Sequence, residues 1–144
     1  MDVVVYTDGG SRGNPGPAGA GWVIVDGRGK VLKENAKYLG AQTNNWAEYE
    51  AVALALKELK RILGTARLRN THIELRLDSE LVTRQLRSEY QVKEESLYPQ
   101  FIKVHNMRVK DFPKITIMHV PREKNKRADQ LANDAMDGGT ASLV

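Results

Sequence analysis

Hydrophobic and polar positions along this chain of 144 residues follow two rhythms, and the switches between them mark its elements. The β-branched run "VVVYT" (3–7) reads as a buried strand that stops at Asp8, before a stretch rich in Gly and Pro. "GAGWVIVDGRGKVLKENAKYL" reads as a hairpin turned by "DGRG". "TNNWAEYEAVALALKELKRIL" (43–63) predicts the main helix, with a polar entry at Thr43 or Asn44 and Gly64 as its stop. "HIELRL" (72–77) alternates as a strand, with Ile73, Leu75 and Leu77 on one side. "SELVTRQLR" and "LYPQFIKVHNMRVKDF" (97–112) read as helices, the second beginning near Pro99. "KITIMHV" (114–120) is a strand ended by Pro121, and "KRADQLANDAMD" is a closing helix ended by Gly138 and Gly139. The order β-β-β-α-β-α-α-β-α predicts an α/β layer structure with a mixed sheet, hairpin first and crossovers after. One domain over residues 1–138 and a tail over 139–144 are expected, the tail either loose or packed.

Four carboxylates interrupt these rhythms. Asp8 closes the first strand, where ligands of α/β sheets bind, and Gly9 and Gly10 behind it would let a substrate backbone approach. Taken alone, Asp8 reads more readily as a turn-initiating residue. Glu48 heads the apolar stripe of Val52, Ala55 and Leu59, whereas Glu50 points the other way as a solvent-facing acid. Helix-dipole support would explain an acid near that terminus, but not its core-facing position. Asp78 ends the strand "HIELRLD", on the side of Glu74 and Arg76, and by itself reads as a solvated N-cap. Asp129 lies in the first turn of the last helix, at the edge of the stripe of Ala132 and Met136, with Asp134 and Asp137 on its surface. Were the four to converge, each pair at about 4 Å would repel by roughly 4 kcal/mol at an effective dielectric of 20. Such a cluster protonates or binds cations, and oxygen ligands without a cysteine or histidine cluster select Mg²⁺ or Mn²⁺ over zinc.

Composition narrows the class without deciding the chemistry. With 41% hydrophobic and 28% charged residues the chain reads as a folded globular protein. No stretch approaches the ~20 apolar residues that span a bilayer, so no membrane partner is expected. No secretory signal is visible, and the absence of cysteine fits a reducing, cytoplasmic setting. The net charge of +4, gathered in "KELKRILGTARLR" and "PREKNKRAD", suits a phosphate-bearing partner and equally a solvated surface.

"YTDGGSRGNPGPAGAGW", "TNNWAEYEAVALAL", "LRLDSELV" and "NKRADQLANDA" occur in the order seen in type 1 ribonuclease H, and over nearly its whole length the chain resembles that family. The resemblance implies a five-stranded mixed sheet flanked by helices. It also implies metal-dependent cleavage of the RNA strand of RNA–DNA hybrids, leaving 5′-phosphate and 3′-hydroxyl ends. The family's metal-binding and catalytic carboxylates fall on Asp8, Glu48, Asp78 and Asp129, which would hold two ions, Mg²⁺ or Mn²⁺. One ion would activate the attacking water and the other would stabilise the leaving 3′ oxygen. Nucleic-acid contacts carry over to Asn14, Thr43 and Asn44, suited to a ribose 2′-OH, a base edge or a phosphate. For Asn14 a turn role competes, and for Thr43 an N-cap, which can coexist with phosphate contact. Trp46 reads as packing more readily than as a nucleic-acid contact.

Two departures stand out. The loop before the last helix, "PREKNKR", lacks the histidine many members carry, which leaves Arg122 and Lys124 as candidate phosphate contacts. His119 and His105 read as structural, and His72 has no evident partner. The stretch "RQLRSEYQVKEESLY" is short and carries Glu89, Glu94 and Glu95 where many bacterial members have a basic protrusion. A monomeric endonuclease on hybrids, tolerating duplex RNA, is the leading expectation. A non-cleaving hybrid or duplex-RNA binding module is its alternative.

Overall fold

The computed structural model describes residues 2–142. Its strands are β1 (Val3–Ser11), β2 (Gly16–Asp26), β3 (Val31–Gln42), β4 (Ile73–Leu77) and β5 (Ile115–His119). Its helices are α1 (Asn44–Leu63), α2 (Thr65–Leu68), α3 (Glu80–Leu86), α4 (Tyr98–Asp111) and α5 (Lys126–Ser142), with 3-10 turns at Glu95–Leu97 and Arg122–Lys124. The sheet runs β3-β2-β1-β4-β5. The β1–β2 and β2–β3 pairs are antiparallel, and the β1–β4 and β4–β5 pairs are parallel. This is the five-stranded mixed sheet expected, with a hairpin half and a crossover half.

Two glycine contacts set the helices on opposite faces. A Cβ on Gly9 would overlap the Ala47 carbonyl of α1, and a Cβ on Gly21 would overlap the Ala128 carbonyl of α5. In the antiparallel register Gly9 lies opposite Ala20, and Gly21 lies opposite Asp8, so α1 and α5 occupy different faces. Gly9 is therefore filled by α1 and is not open to a substrate backbone, which corrects the sequence expectation. On the α1 face Val52, Ala55, Leu56 and Leu59 pack with Val5, Ile24, Ile73 and Leu75, all fully buried.

Helix α1 starts and stops where its sequence predicts, with Thr43 as N-cap and Gly64 (φ +81°) at its end. Strand β1 runs past Asp8 to Ser11, because Gly9 and Gly10 stay paired with Ala20 and Gly19 of β2. Helix α5 likewise runs through Gly138 and Gly139 to Ser142. At Gly139 the Tyr38 ring occupies the space a Cβ would need, so this glycine serves close packing and does not stop the helix. Of the expected tail, residues 143–144 lie outside the described residues. No described helix is long and apolar enough to cross a membrane.

Candidate metal centre and nucleic-acid face

The parallel β1–β4 ladder ends at the pair Thr7 and Leu77, and Asp8 and Asp78 are the next residues on the two strands. The strands part there, since β1 continues along β2 while the chain after β4 turns into α3. Ser79, and not Asp78, caps α3, accepting from the Val82 N–H at 3.2 Å. The carboxylate of Asp78 is thus left for the fork. Glu48 reaches the same fork from the first turns of α1, which Gly9 allows to lie directly on β1. Asp8, Glu48 and Asp78 each place an oxygen within 4.8 Å of the others. Asp129, from the first turn of α5, lies close enough to Asp8 to raise its pKa and stands outside that trio.

Bringing these acids together, with Asp8 and Glu48 buried, carries an electrostatic cost. Burial, then the charge of Asp78 and the contact with Asp129, push Asp8 up to about 8. Burial, then the charges of Asp8 and Asp78, hold Glu48 well above the carboxylate range, although the Gly9 N–H donates to it. One oxygen of Glu48, Oε2, is buried with no hydrogen-bond partner. A hard divalent cation would satisfy that oxygen and relieve the repulsion, and an all-oxygen donor set is the kind Mg²⁺ and Mn²⁺ take. The residues present fit such an ion.

The polar corner beside the fork is built differently. Asn14 accepts the Asn44 N–H at 3.0 Å, Asn44 accepts the Ser11 N–H at 3.2 Å, and Thr43 accepts the Trp46 N–H at 3.3 Å. These bonds orient both amides, and their NH₂ groups have no partner among the described residues. Asn14 and Asn44 are exposed and Thr43 is partly so. Trp46 packs against the core, as expected. Arg122 and Lys124 stand exposed on the 3-10 turn before α5, with no side-chain hydrogen bond or ion pair among the described residues.

Several neighbours differ from expectation. Glu50 is not solvent-facing: it pairs with Lys103 and accepts from Gln100 at 3.4 Å, because α4 packs along that side of α1. His72 meets Thr116 Oγ1 at 2.9 Å across the β4–β5 pair. His105 stacks on Phe101, and the ring of His119 lies 3.2 Å from the carbonyl of Asp78. In the segment that replaces a basic protrusion, Arg84 pairs with Glu80 and Glu89, and Arg87 pairs with Glu89. Asp134 and Asp137 are exposed, as predicted. The residue the sequence reading missed is Asn125, 1% exposed, whose amide donates to the Thr7 carbonyl at 2.8 Å and to Asp78 at 3.3 Å. Its sequence signal is its place at the head of the motif "NKRADQLANDA", four residues before Asp129.

Residues 6–135 match the family model described as Reverse transcriptase-like. Ribonuclease HI of Halobacterium salinarum is 42% identical over 135 residues, 94% of this chain and 64% of that protein. The chain thus spans less than two thirds of the length of that relative. Ribonuclease H of Idiomarina loihiensis is 31% identical over 147 residues, covering 92% of this chain and 87% of that one. An RNase H1 isolated from compost superimposes with a TM-score of 0.92 at 45% identity, over 96% of this chain and 98% of its own. The same compost enzyme, solved in complex with an RNA/DNA hybrid, gives a TM-score of 0.91 at 46% identity, over 96% and 99% of the two chains.

Proposed function

The chain belongs to the type 1 ribonuclease H family, and we propose that it is an endonuclease that hydrolyses the RNA strand of RNA–DNA hybrids, leaving 5′-phosphate and 3′-hydroxyl ends. The observation that carries this reading is the fork of Asp8, Glu48 and Asp78, with Asp129 beside Asp8. Related proteins named ribonuclease H, one of them solved with a hybrid, support the choice of substrate.

In this reading Asp8, Glu48, Asp78 and Asp129 hold two divalent ions, Mg²⁺ or Mn²⁺. When bound, the ions supply the positive charge that in-line displacement at phosphorus requires. The chain's own residues prepare the site for them. The fork gathers carboxyls of which Asp8 and Glu48 are buried and hold their protons until a cation replaces them. Asn14 and Asn44 are each oriented by a bond to Oδ1 and present free NH₂ donors. Those suit the 2′-oxygens and base acceptors along a hybrid's minor groove. The Thr43 hydroxyl, capping α1, lies where phosphate binds at a helix entrance. Arg122 and Lys124 add charge for the backbone phosphates. We place the protein in the cytoplasm as a monomer, and the assay below tests whether it also acts on duplex RNA.

A non-cleaving duplex binder is not favoured. Four acids at the substrate face would repel a polyanion unless cations neutralised them. The deciding assay labels the RNA strand of a hybrid and compares Mg²⁺, Mn²⁺ and EDTA, with single-stranded RNA, duplex RNA and duplex DNA as controls. We expect cleavage of hybrid with metal and none with EDTA; folded protein that binds hybrid but leaves it intact would refute the nuclease.

A further inference from the structure

We propose that Asn125 is the positioning residue of the carboxylate fork, holding Asp78 and the end of the β1–β4 ladder through its side chain and Asp129 through its main chain. The inference rests on reading the fork as a divalent-metal site.

Asn125 immediately precedes α5, the place where an asparagine normally turns its side-chain oxygen onto the free N–H groups of the helix. Here it does not. Its Oδ1 is buried and makes no hydrogen bond, so the side chain forgoes capping. Its Nδ2 instead points between the parting strands, donating to the Thr7 carbonyl at 2.8 Å and to Asp78 Oδ2 at 3.3 Å. Thr7 is the residue before Asp8. The carbonyl of Asn125 accepts the Asp129 N–H at 3.1 Å, which fixes the turn of α5 that carries the fourth acid. One residue therefore touches Asp78, the neighbour of Asp8, and Asp129. No other described residue bonds to all three elements at this point.

The chemistry of an amide suits the task. An N–H donor orients a carboxylate without adding charge, so the acids keep their full attraction for a cation. A lysine there would occupy the carboxylates itself. A side chain 1% exposed presents nothing to a duplex, so its influence passes through the acids it holds. Groups that orient metal ligands in this way typically change metal affinity or turnover about 10–100-fold when removed.

Asn125→Ser separates positioning from stability, because serine is a good N-cap but cannot reach both acceptors. Three readouts are compared with wild type: Tm, Mn²⁺ affinity by titration calorimetry without nucleic acid, and kcat and KM on labelled hybrid. We expect a folded variant whose Tm is lowered by the lost bond to the Thr7 carbonyl, with Mn²⁺ affinity and kcat each reduced about 10–100-fold and KM for hybrid unchanged. A folded variant with wild-type Mn²⁺ affinity overturns the proposal, whatever its kcat. Should the serine protein not fold, Asn125→Thr is measured in the same way, and failure of both to fold overturns it too. Wild-type protein that binds Mn²⁺ but leaves hybrid intact refutes the nuclease, and calorimetry still decides the role of Asn125. Wild-type protein that binds no Mn²⁺ removes both.

Discussion

The entrance of α1 carries two polar regions side by side, and they are opposites. At the fork, Asp8 and Glu48 are buried against the half-exposed Asp78, so ionising them together is disfavoured, and Glu48 Oε2 has no partner. At the corner of Asn14, Thr43 and Asn44, each side-chain oxygen already accepts a backbone N–H. The fork is electrostatically incomplete without a cation. The corner is already hydrogen-bonded and shows a ligand oriented amide donors. Charge held under repulsion suits chemistry at phosphorus, and satisfied amides suit recognition, because their orientation is set before the ligand arrives.

The largest test of this contrast is to neutralise the fork. Asp8→Asn or Glu48→Gln should lower kcat by at least roughly 10²–10³, the scale of removing one key electrostatic group, while hybrid binding persists. Glu50→Gln, one turn-face away, should leave kcat unchanged and cost no more than about 1 kcal/mol through its lost partner Lys103. Equal losses at Glu48 and Glu50 would erase the distinction between the two faces of α1.

Proton linkage gives the next effect. The unfolded chain releases the Asp8 proton near pH 4, whereas the folded, metal-free protein keeps it until about 8. Between those values the native state binds more protons than the unfolded one, so stability falls as pH rises. Glu48, also raised, adds in the same direction. Thermal melts of metal-free protein should show Tm declining between about pH 4 and pH 8, and saturating Mg²⁺ should remove most of the slope. A flat metal-free profile would mean the acids are ionised and solvated.

The corner should respond more mildly. Asn14→Ala and Asn44→Ala should each raise KM for hybrid about 2–10-fold, the worth of one hydrogen bond, with kcat little changed. A fall in kcat without a rise in KM would move the corner into the chemistry. Smallest is the pair Arg122→Ala and Lys124→Ala. Each should lower the slope of log affinity against log salt by about 1 without altering metal dependence. An unchanged slope would place both side chains off the phosphate path.

Much of this protein was determined locally. The stripe of Val52, Ala55 and Leu59 made α1 legible and exposed Glu48 as an acid on the wrong face for solvent. Alternation in "HIELRL" placed the inner face of β4, and Thr43 and Gly64 bounded α1, since caps and turns depend on a residue and its near neighbours. The ordered motifs then pointed to the family. What only the tertiary structure decided was which elements touch. Gly9, Gly21 and Gly139 look like breakers in one dimension, yet they are the places where a helix or a ring lies against the backbone. Glu50 looked exposed until α4 covered it, and Asn125 drew no attention until its amide was found between two strands. Periodicity reports which side of an element is apolar. Register and crossing geometry, which depend on residues far apart in the chain, bring Asp8, Glu48 and Asp78 to one fork and set Asp129 at its edge.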